Sequence, residues 1–433
     1  MAKSIPKPQW SVSGELIPMR GNDAVAYAVK LARVEFVAAY PITPQTIIVE
    51  KIDEMISRGE LEAEMMHVES EHSALAATYG AAIGGVRSFT ATSSHGLAYM
   101  YEVLWWVAGS RVPVVMAIVA RAIGPPWNIH VEHSDIMATR ETGWLVSVAE
   151  NNQEALDLTI LMFRVTEDPR VYLPGIIGLD GFILSHTVEP VDVPPQKVVD
   201  EFLPPRRQPY VFEPGKLVAM GNLMPDEIFE EHRIDMHYSL MKAVRAIEEA
   251  GREYSKLTGR DYSRLTECYR CSDADYLIAG TGSWMGDAKI AVDLLREKGL
   301  KFGALRLRWI RPFPWHEVRE LGLNKKLVVV LDRSISFGYA GQLFIELSSA
   351  LEAKPSIVGV PAGIGGLDIS YNDIAYIAEE ATRLLEEKGR IYTPVLWYHL
   401  GGFKPLPPSK HVETTRRAQF LSIDIESIGE DGE

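Results

Sequence analysis

From Asp23 onward, short apolar runs of four to six residues alternate with amphipathic stretches of about ten, and no other feature restricts the fold as strongly. Ala24–Ala32 reads as a helix and Phe36–Ala39 as a buried strand. A proline-rich turn, Tyr40-Pro41-Ile42-Thr43-Pro44, leads into a helix ending near Ile56. Strands over Met65–Val68, Ser88–Thr92 and Val114–Val119 follow, with helices over Ser73–Gly84 and Ala98–Ala108 between them. Such runs, too short for helices and lacking polar alternation, imply a parallel, doubly wound α/β sheet covered on both faces.

With 433 residues, two or three domains are expected. Residues 1–225 form the first unit and 226–272 a connection, in which a helix runs from about Asp226 to Leu257 with Ile234, Met241, Val244, Ile247 and Tyr254 as its buried stripe. Residues 273–390 form a second α/β unit, with strands at Tyr276–Ala279, Phe302–Leu307, Leu327–Leu331 and Ser356–Val360 and a helix at Asp287–Lys298. Residues 391–433 read as a tail that lies along a partner or stays loose.

The net charge of −14 argues against nucleic acid as the main partner. The longest apolar run, Val112–Ala120, is far short of the ~20 residues that span a bilayer. The N-terminus has no apolar core of a signal peptide, and two cysteines suit a reducing cytoplasm. Those two, Cys268 and Cys271, form a single CxxC pair, read as two ordinary thiols rather than half of a zinc or redox motif.

Four segments following strands carry the chemistry. In Tyr40–Pro44 two prolines fix the backbone on either side of Thr43, as either a substrate-facing hydroxyl or a rigid capping turn. His67-Val68-Glu69-Ser70-Glu71-His72-Ser73 opens a helix, where one glutamate suits the dipole and a second is available as a proton partner for a cofactor nitrogen. Thr90–Gly96 places the hydroxyls of Thr92, Ser93 and Ser94 at another helix start, without the lysine of a phosphate loop. Arg121 ends an apolar strand, where a cation needs either a structural carboxylate or the carboxylate of a substrate. Trp127, Asn128 and His130 lie in the loop behind it, and its histidines lack a matching ligand cluster, so no metal site is expected.

Together AAYPITPQT (38–46), VESEHSALAATYGAAIGGVRSFTATSSHGLAYMYEVL (68–104), RVPVVMAIVARA (111–122), RETGWLVSVAENNQEALDL (140–158), DGFILSHTVEPVDVP (180–194) and LDRSISFGYAG (331–341) resemble the alpha subunit of the pyruvate (2-oxoacid):ferredoxin oxidoreductases. The resemblance implies a pyrimidine-type thiamine-diphosphate domain followed by a transketolase C-terminal-like α/β domain. It implies that Thr43 and Arg121 hold the substrate carboxylate and that Glu71, with Glu69 as the weaker candidate, meets the aminopyrimidine N1′; the helix start at Thr92, Ser93 and Ser94, read from the residues, is the further cofactor-binding candidate.

The Gly-Asp-Gly…Asn pattern of the magnesium–diphosphate site and the cysteine runs of iron–sulfur clusters are missing from this sequence. The resemblance therefore implies partners: a beta subunit with the magnesium and diphosphate site, a gamma subunit, a ferredoxin-like delta subunit carrying 4Fe-4S clusters, and ferredoxin or another electron acceptor. Alone, the chain is expected to be inactive; in the complex, a 2-oxoacid and coenzyme A would give acyl-CoA and carbon dioxide. Pyruvate-type members carry a loop resembling INIWND where WNIHVEH stands here, with Trp127, Asn128 and His130 as candidate selectivity residues. Pyruvate leads branched-chain or aromatic 2-oxoacids, and a non-catalytic assembly subunit is the competing class.

Overall fold

The computed structural model describes residues 14–403; the N-terminal reading and the tail beyond 403 lie largely or wholly outside them. Seven strands form the first sheet, in the order Trp309–Arg311, Leu145–Val148, Gly175–Asp180, Val115–Ala120, Ser88–Thr92, Phe36–Ala39 and Glu64–His67. All neighbours are parallel except Trp309–Arg311, which pairs antiparallel with Leu145–Val148. Val115–Ala120 is buried throughout, as its unbroken apolar run requires when helices cover both faces. The second sheet runs Tyr392–Thr393, Ser356–Pro361, Leu327–Asp332, Tyr276–Gly280, Phe302–Leu307 and Thr266–Tyr269, with the last strand antiparallel on the edge.

Three expectations change. The helix Asp226–Thr258 is present, but Ile234 and Met241 are exposed. Its buried face is built of small residues, Ala243, Ala246, Ala250 and Gly251, with Ile247 and Tyr254. Short side chains let this helix lie close against Asn152–Thr166, while Ile228, Phe229, Ile234, Tyr238 and Met241 face outward. The segment at 391–403 is not loose: Tyr392–Thr393 extends the second sheet, and buried Tyr398 donates its hydroxyl to Asp373. Finally, the second unit lends the strand Trp309–Arg311 to the first sheet.

A buried ion network joins the two units. Arg306 and Arg308 reach Glu154, and Arg306 and Lys289 bridge Glu150 and Glu267. Glu150, Glu154 and Glu267 are close enough together to hold a cation, but these basic side chains already neutralise them.

Candidate active site

Each candidate residue leaves the carboxyl end of one of four neighbouring strands: Val115–Ala120, Ser88–Thr92, Phe36–Ala39 and Glu64–His67. Ligands of open α/β sheets collect at that edge. The fifth neighbour, Gly175–Asp180, closes the group: Gly181 N–H donates to Ala120 O, and a Cβ on Gly181 would lie 2.3 Å from that oxygen and 3.0 Å from Pro44 Cγ. Only glycine lets the chain pass between the Tyr40–Pro44 turn and the end of the Arg121 strand.

Arg121 is 5% exposed, yet its guanidinium forms no ion pair among the described residues. Nη1 donates to the Thr43 carbonyl at 2.9 Å, and the guanidinium carbon lies 5.8 Å from the Trp127 ring centre. Burial lowers its pKa. A buried cation without a contacting anion is costly and suits a ligand that brings one. The Thr43 side chain is exposed beside it.

Asp135 fixes this arginine from behind, a role that the sequence reading missed. Its Oδ2 accepts the backbone N–H of both Arg121 and Ser94 at 3.0 Å, and Oδ1 accepts that of Ile136 at 2.8 Å. Burial pushes its carboxyl up to about 7 against the pull of those donors. One side chain thus registers the ends of two strands.

Glu71 is the first residue of the helix Glu71–Ile83 and is buried. Its carboxylate has no hydrogen-bond partner among the described residues. A Cβ on Gly96 would lie 2.6 Å from both Glu71 Oε1 and Thr92 Oγ1, so a glycine is needed beneath the carboxylate. Thr92 Oγ1 there, and Ser93 Oγ on the next residue, are buried and unpartnered. Glu69 is different: it is exposed, accepts the Ser73 hydroxyl at 2.6 Å, and has a lowered pKa from that bond. Ser94 is internally committed as well, its hydroxyl donating to Ala122 O.

The loop behind Arg121 spans to the second unit. Asn128 Nδ2 donates to Gly365 O at 3.0 Å while its Oδ1 accepts His130 N–H. The His130 ring lies 5.2 Å from that of Phe182, and Trp127 is 80% exposed. His133 Nε2 meets Asp180 Oδ1 at 2.6 Å, and Asp180 Oδ2 accepts from Ser283 N and Oγ, with Arg333 at 3.5 Å. Burial pushes the Asp180 carboxyl up, but His133, Arg333 and Ser283 outweigh it and hold it well below the ordinary range. Asp180 ends an apolar strand just as Arg121 does, so the same sequence signal was available for it.

The carboxyl ends of the two sheets meet through Asp180 and Asn128, with a bare cation on one strand of the first sheet and a bare carboxylate after another. Sequence comparison identifies the lineage. The profile described as "Pyruvate flavodoxin/ferredoxin oxidoreductase, thiamine diP-bdg" matches residues 27–252, and that of "Pyruvate:ferredoxin oxidoreductase core domain II" matches 274–374. The chain belongs to the pyruvate flavodoxin/ferredoxin oxidoreductase family. Among its relatives, the ketoisovalerate oxidoreductase subunit VorA of Pyrococcus abyssi is 45% identical over 384 residues, covering 88% of this chain and 96% of the relative. The pyruvate synthase subunit PorA of Pyrococcus furiosus is 43% identical over 386 residues, covering 88% and 97%. In fold, the chain is similar to the 2-oxoglutarate:ferredoxin oxidoreductase of Magnetococcus marinus, with a TM-score of 0.67 at 23% identity, covering 85% of this chain and 65% of that one. The α/β class expected from the strand rhythm is the one found, and the family expected from the motifs is the family matched.

Proposed function

We propose that this family member is the subunit of a 2-oxoacid:ferredoxin oxidoreductase that grips the 2-oxoacid carboxylate and the pyrimidine edge of thiamine diphosphate. The observation that carries this reading is the Arg121 guanidinium, buried without a counter-anion beside Thr43. Arginine presents a planar fork to a carboxylate, which the Thr43 hydroxyl can supplement.

The residues around Glu71 suit the cofactor's aminopyrimidine. A buried carboxylate and two buried hydroxyls, all unpartnered, offer acceptors and donors to a polar ring edge, and Gly96 leaves room beneath them. When bound, thiamine diphosphate supplies a nucleophilic carbon and an electron sink for loss of carbon dioxide. Glu71 holds a proton at the ring nitrogen, Arg121 orients the carboxylate that will leave, and Asp135 keeps the strand ends of both sites in register.

The magnesium and diphosphate site belongs on this reading to a beta subunit, and the 4Fe-4S clusters to a delta subunit that feeds ferredoxin or another acceptor, with a gamma subunit completing the assembly and coenzyme A taking the acyl group. On this reading the complex is cytoplasmic; no helix of the described residues is long and apolar enough to cross a membrane. Pyruvate remains the leading substrate. The near-equal likeness to VorA at 45% and PorA at 43% favours a second reading, a branched-chain 2-oxoacid. The test is reconstitution with the partner subunits and measurement of coenzyme-A-dependent dye reduction with pyruvate and 2-oxoisovalerate. Turnover by the complex, with none by this chain alone, is expected. A complex that assembles but turns over neither acid would favour an assembly role.

A further inference from the structure

The CxxC pair is distant from this chemistry. Cys268 lies on the edge strand Thr266–Tyr269, opposite Leu305, and is exposed. Cys271 follows the strand and is 1% exposed. Because that strand is antiparallel, the chain at Cys271 lies toward the amino ends of the parallel strands of its sheet, away from the carboxyl edge that meets the first sheet. Arg270 between them adopts φ of +54°, a left-handed turn that folds the chain back on itself. The turn is pinned from outside. Arg296 donates to Arg270 O at 2.8 Å, and Lys325 Nζ donates to Cys271 O at 2.7 Å and Ala274 O at 2.8 Å. The Cys271 thiol reaches Ala304 O at 3.3 Å and Tyr269 O at 3.7 Å, which keeps it at the turn beside Cys268. Hydrogen bonding from the neighbouring Cys271 thiol lowers the Cys268 pKa to about 6 against partial desolvation, with Lys325 and Arg264 assisting; the same interaction and its own burial raise Cys271.

An exposed nucleophile, a buried second thiol and a held turn are the parts of a dithiol that opens and closes. We propose that Cys268 and Cys271 form a redox-active pair that closes reversibly to an intramolecular disulfide, with Cys268 as the attacking sulfur and Cys271 as the resolving one. The oxidant is a low-molecular-weight disulfide. The Cys268 thiolate attacks one of its sulfurs, forming a mixed disulfide and releasing the first thiolate. Cys271 then loses its proton and attacks Cys268 Sγ, expelling the second thiolate. The small disulfide gains two electrons and two protons, and the protein dithiol loses them. This assignment replaces the reading of the pair as ordinary thiols and is independent of the proposed catalytic function.

The full chain has two cysteines, so thiol counting is unambiguous. It would be incubated with oxidised glutathione near neutral pH, then examined by thiol titration and intact mass. Both thiols are expected to disappear together, with loss of two hydrogens, no retained glutathione and full reversal by dithiothreitol. C271S should retain glutathione on Cys268, and C268S should remain unmodified while folded. Limiting iodoacetamide should label Cys268 at least about tenfold faster than Cys271, because only the thiolate reacts. The proposal is overturned if the parent chain keeps two titratable thiols, retains glutathione on Cys268, or forms cross-linked dimers instead.

Discussion

Arg121→Met separates a substrate anchor from a structural arginine, because the two roles predict opposite changes in stability. Methionine keeps an unbranched stem for packing and removes the charge. The backbone N–H of Arg121 still reaches Asp135, so the strand end should stay in place. The lost contact to the Thr43 carbonyl falls on a residue open to water, which can replace it. Against those small losses stands relief from burying a cation that no carboxylate contacts. The thermal midpoint of the free chain should therefore hold or rise. Substrate binding should suffer: a charge-assisted hydrogen bond to a carboxylate contributes about 1.5–3 kcal/mol, or roughly 10- to 150-fold. In the reconstituted complex, KM for the 2-oxoacid should rise by about that factor while the affinity for thiamine diphosphate stays near that of the parent. Arg121→Lys, which keeps a point charge without the fork, should fall between the two. Steady-state kinetics and a melting curve on the same preparations decide the matter. A fall in midpoint with KM unchanged would show that the arginine serves the fold, and equal losses of cofactor and substrate affinity would refute the division of roles.

Asp135→Ala leaves the buried N–H groups of Ser94 and Arg121 without an acceptor, so calorimetry should show about 2–5 kcal/mol lost stability; an unchanged midpoint would mean that water replaces the carboxylate. Because folding raises this carboxyl to about 7 from an unfolded value of ~3.9, its contribution is full below that lower value and declines as pH climbs toward 7. The parent's stability advantage over Asp135→Asn should shrink across that window in urea titrations, and a gap that widened with pH would reverse the assignment. Gly96→Ala places a methyl 2.6 Å from Glu71 Oε1, which should displace the carboxylate and cut turnover by about tenfold or more, at a stability cost of about 1–3 kcal/mol. Trp127→Ala, at an 80% exposed position, should leave the midpoint unchanged and alter the ranking of pyruvate against 2-oxoisovalerate; an unchanged ranking would move side-chain selection elsewhere.

Much of the frame was legible because doubly buried strands advertise themselves. Phe36–Ala39 and Ser88–Thr92 are apolar or small-residue runs with clear breaks, Phe302–Leu307 is one interrupted only by Arg306, and the bounds of all three match those read from the sequence. The antiparallel ribbon of Glu15–Arg20 with Val188–Val193 escaped notice because its apolar, charged and proline residues follow no clean two-residue alternation of burial. Trp309–Arg311 is three residues long, and only its pairing across the unit boundary makes it a strand. The site divides in the same way. Thr43, Glu71, Thr92 and Arg121 stand at the ends of readable strands, so position and chemistry coincide in one local signal. Asp135 acts on residues 41 and 14 positions away, through geometry that no local pattern carries. Glu69 and Glu71 both suit the dipole at a helix start, so the resemblance alone ranked Glu71 first; the different surroundings of the two side chains are a matter of direction that no local pattern carries.

The central claim is that Glu71 is the proton partner of the cofactor, and the turnover of a complex reconstituted with Glu71→Gln tests it most directly. The amide occupies the same volume over Gly96 but cannot exchange a proton with a ring nitrogen, a function worth about 10²- to 10⁴-fold. With saturating thiamine diphosphate and 2-oxoacid, kcat should fall by that factor while subunit assembly and the thermal midpoint are preserved. Turnover within a few-fold of the parent would contradict the account and return the role to Glu69 or to a partner subunit.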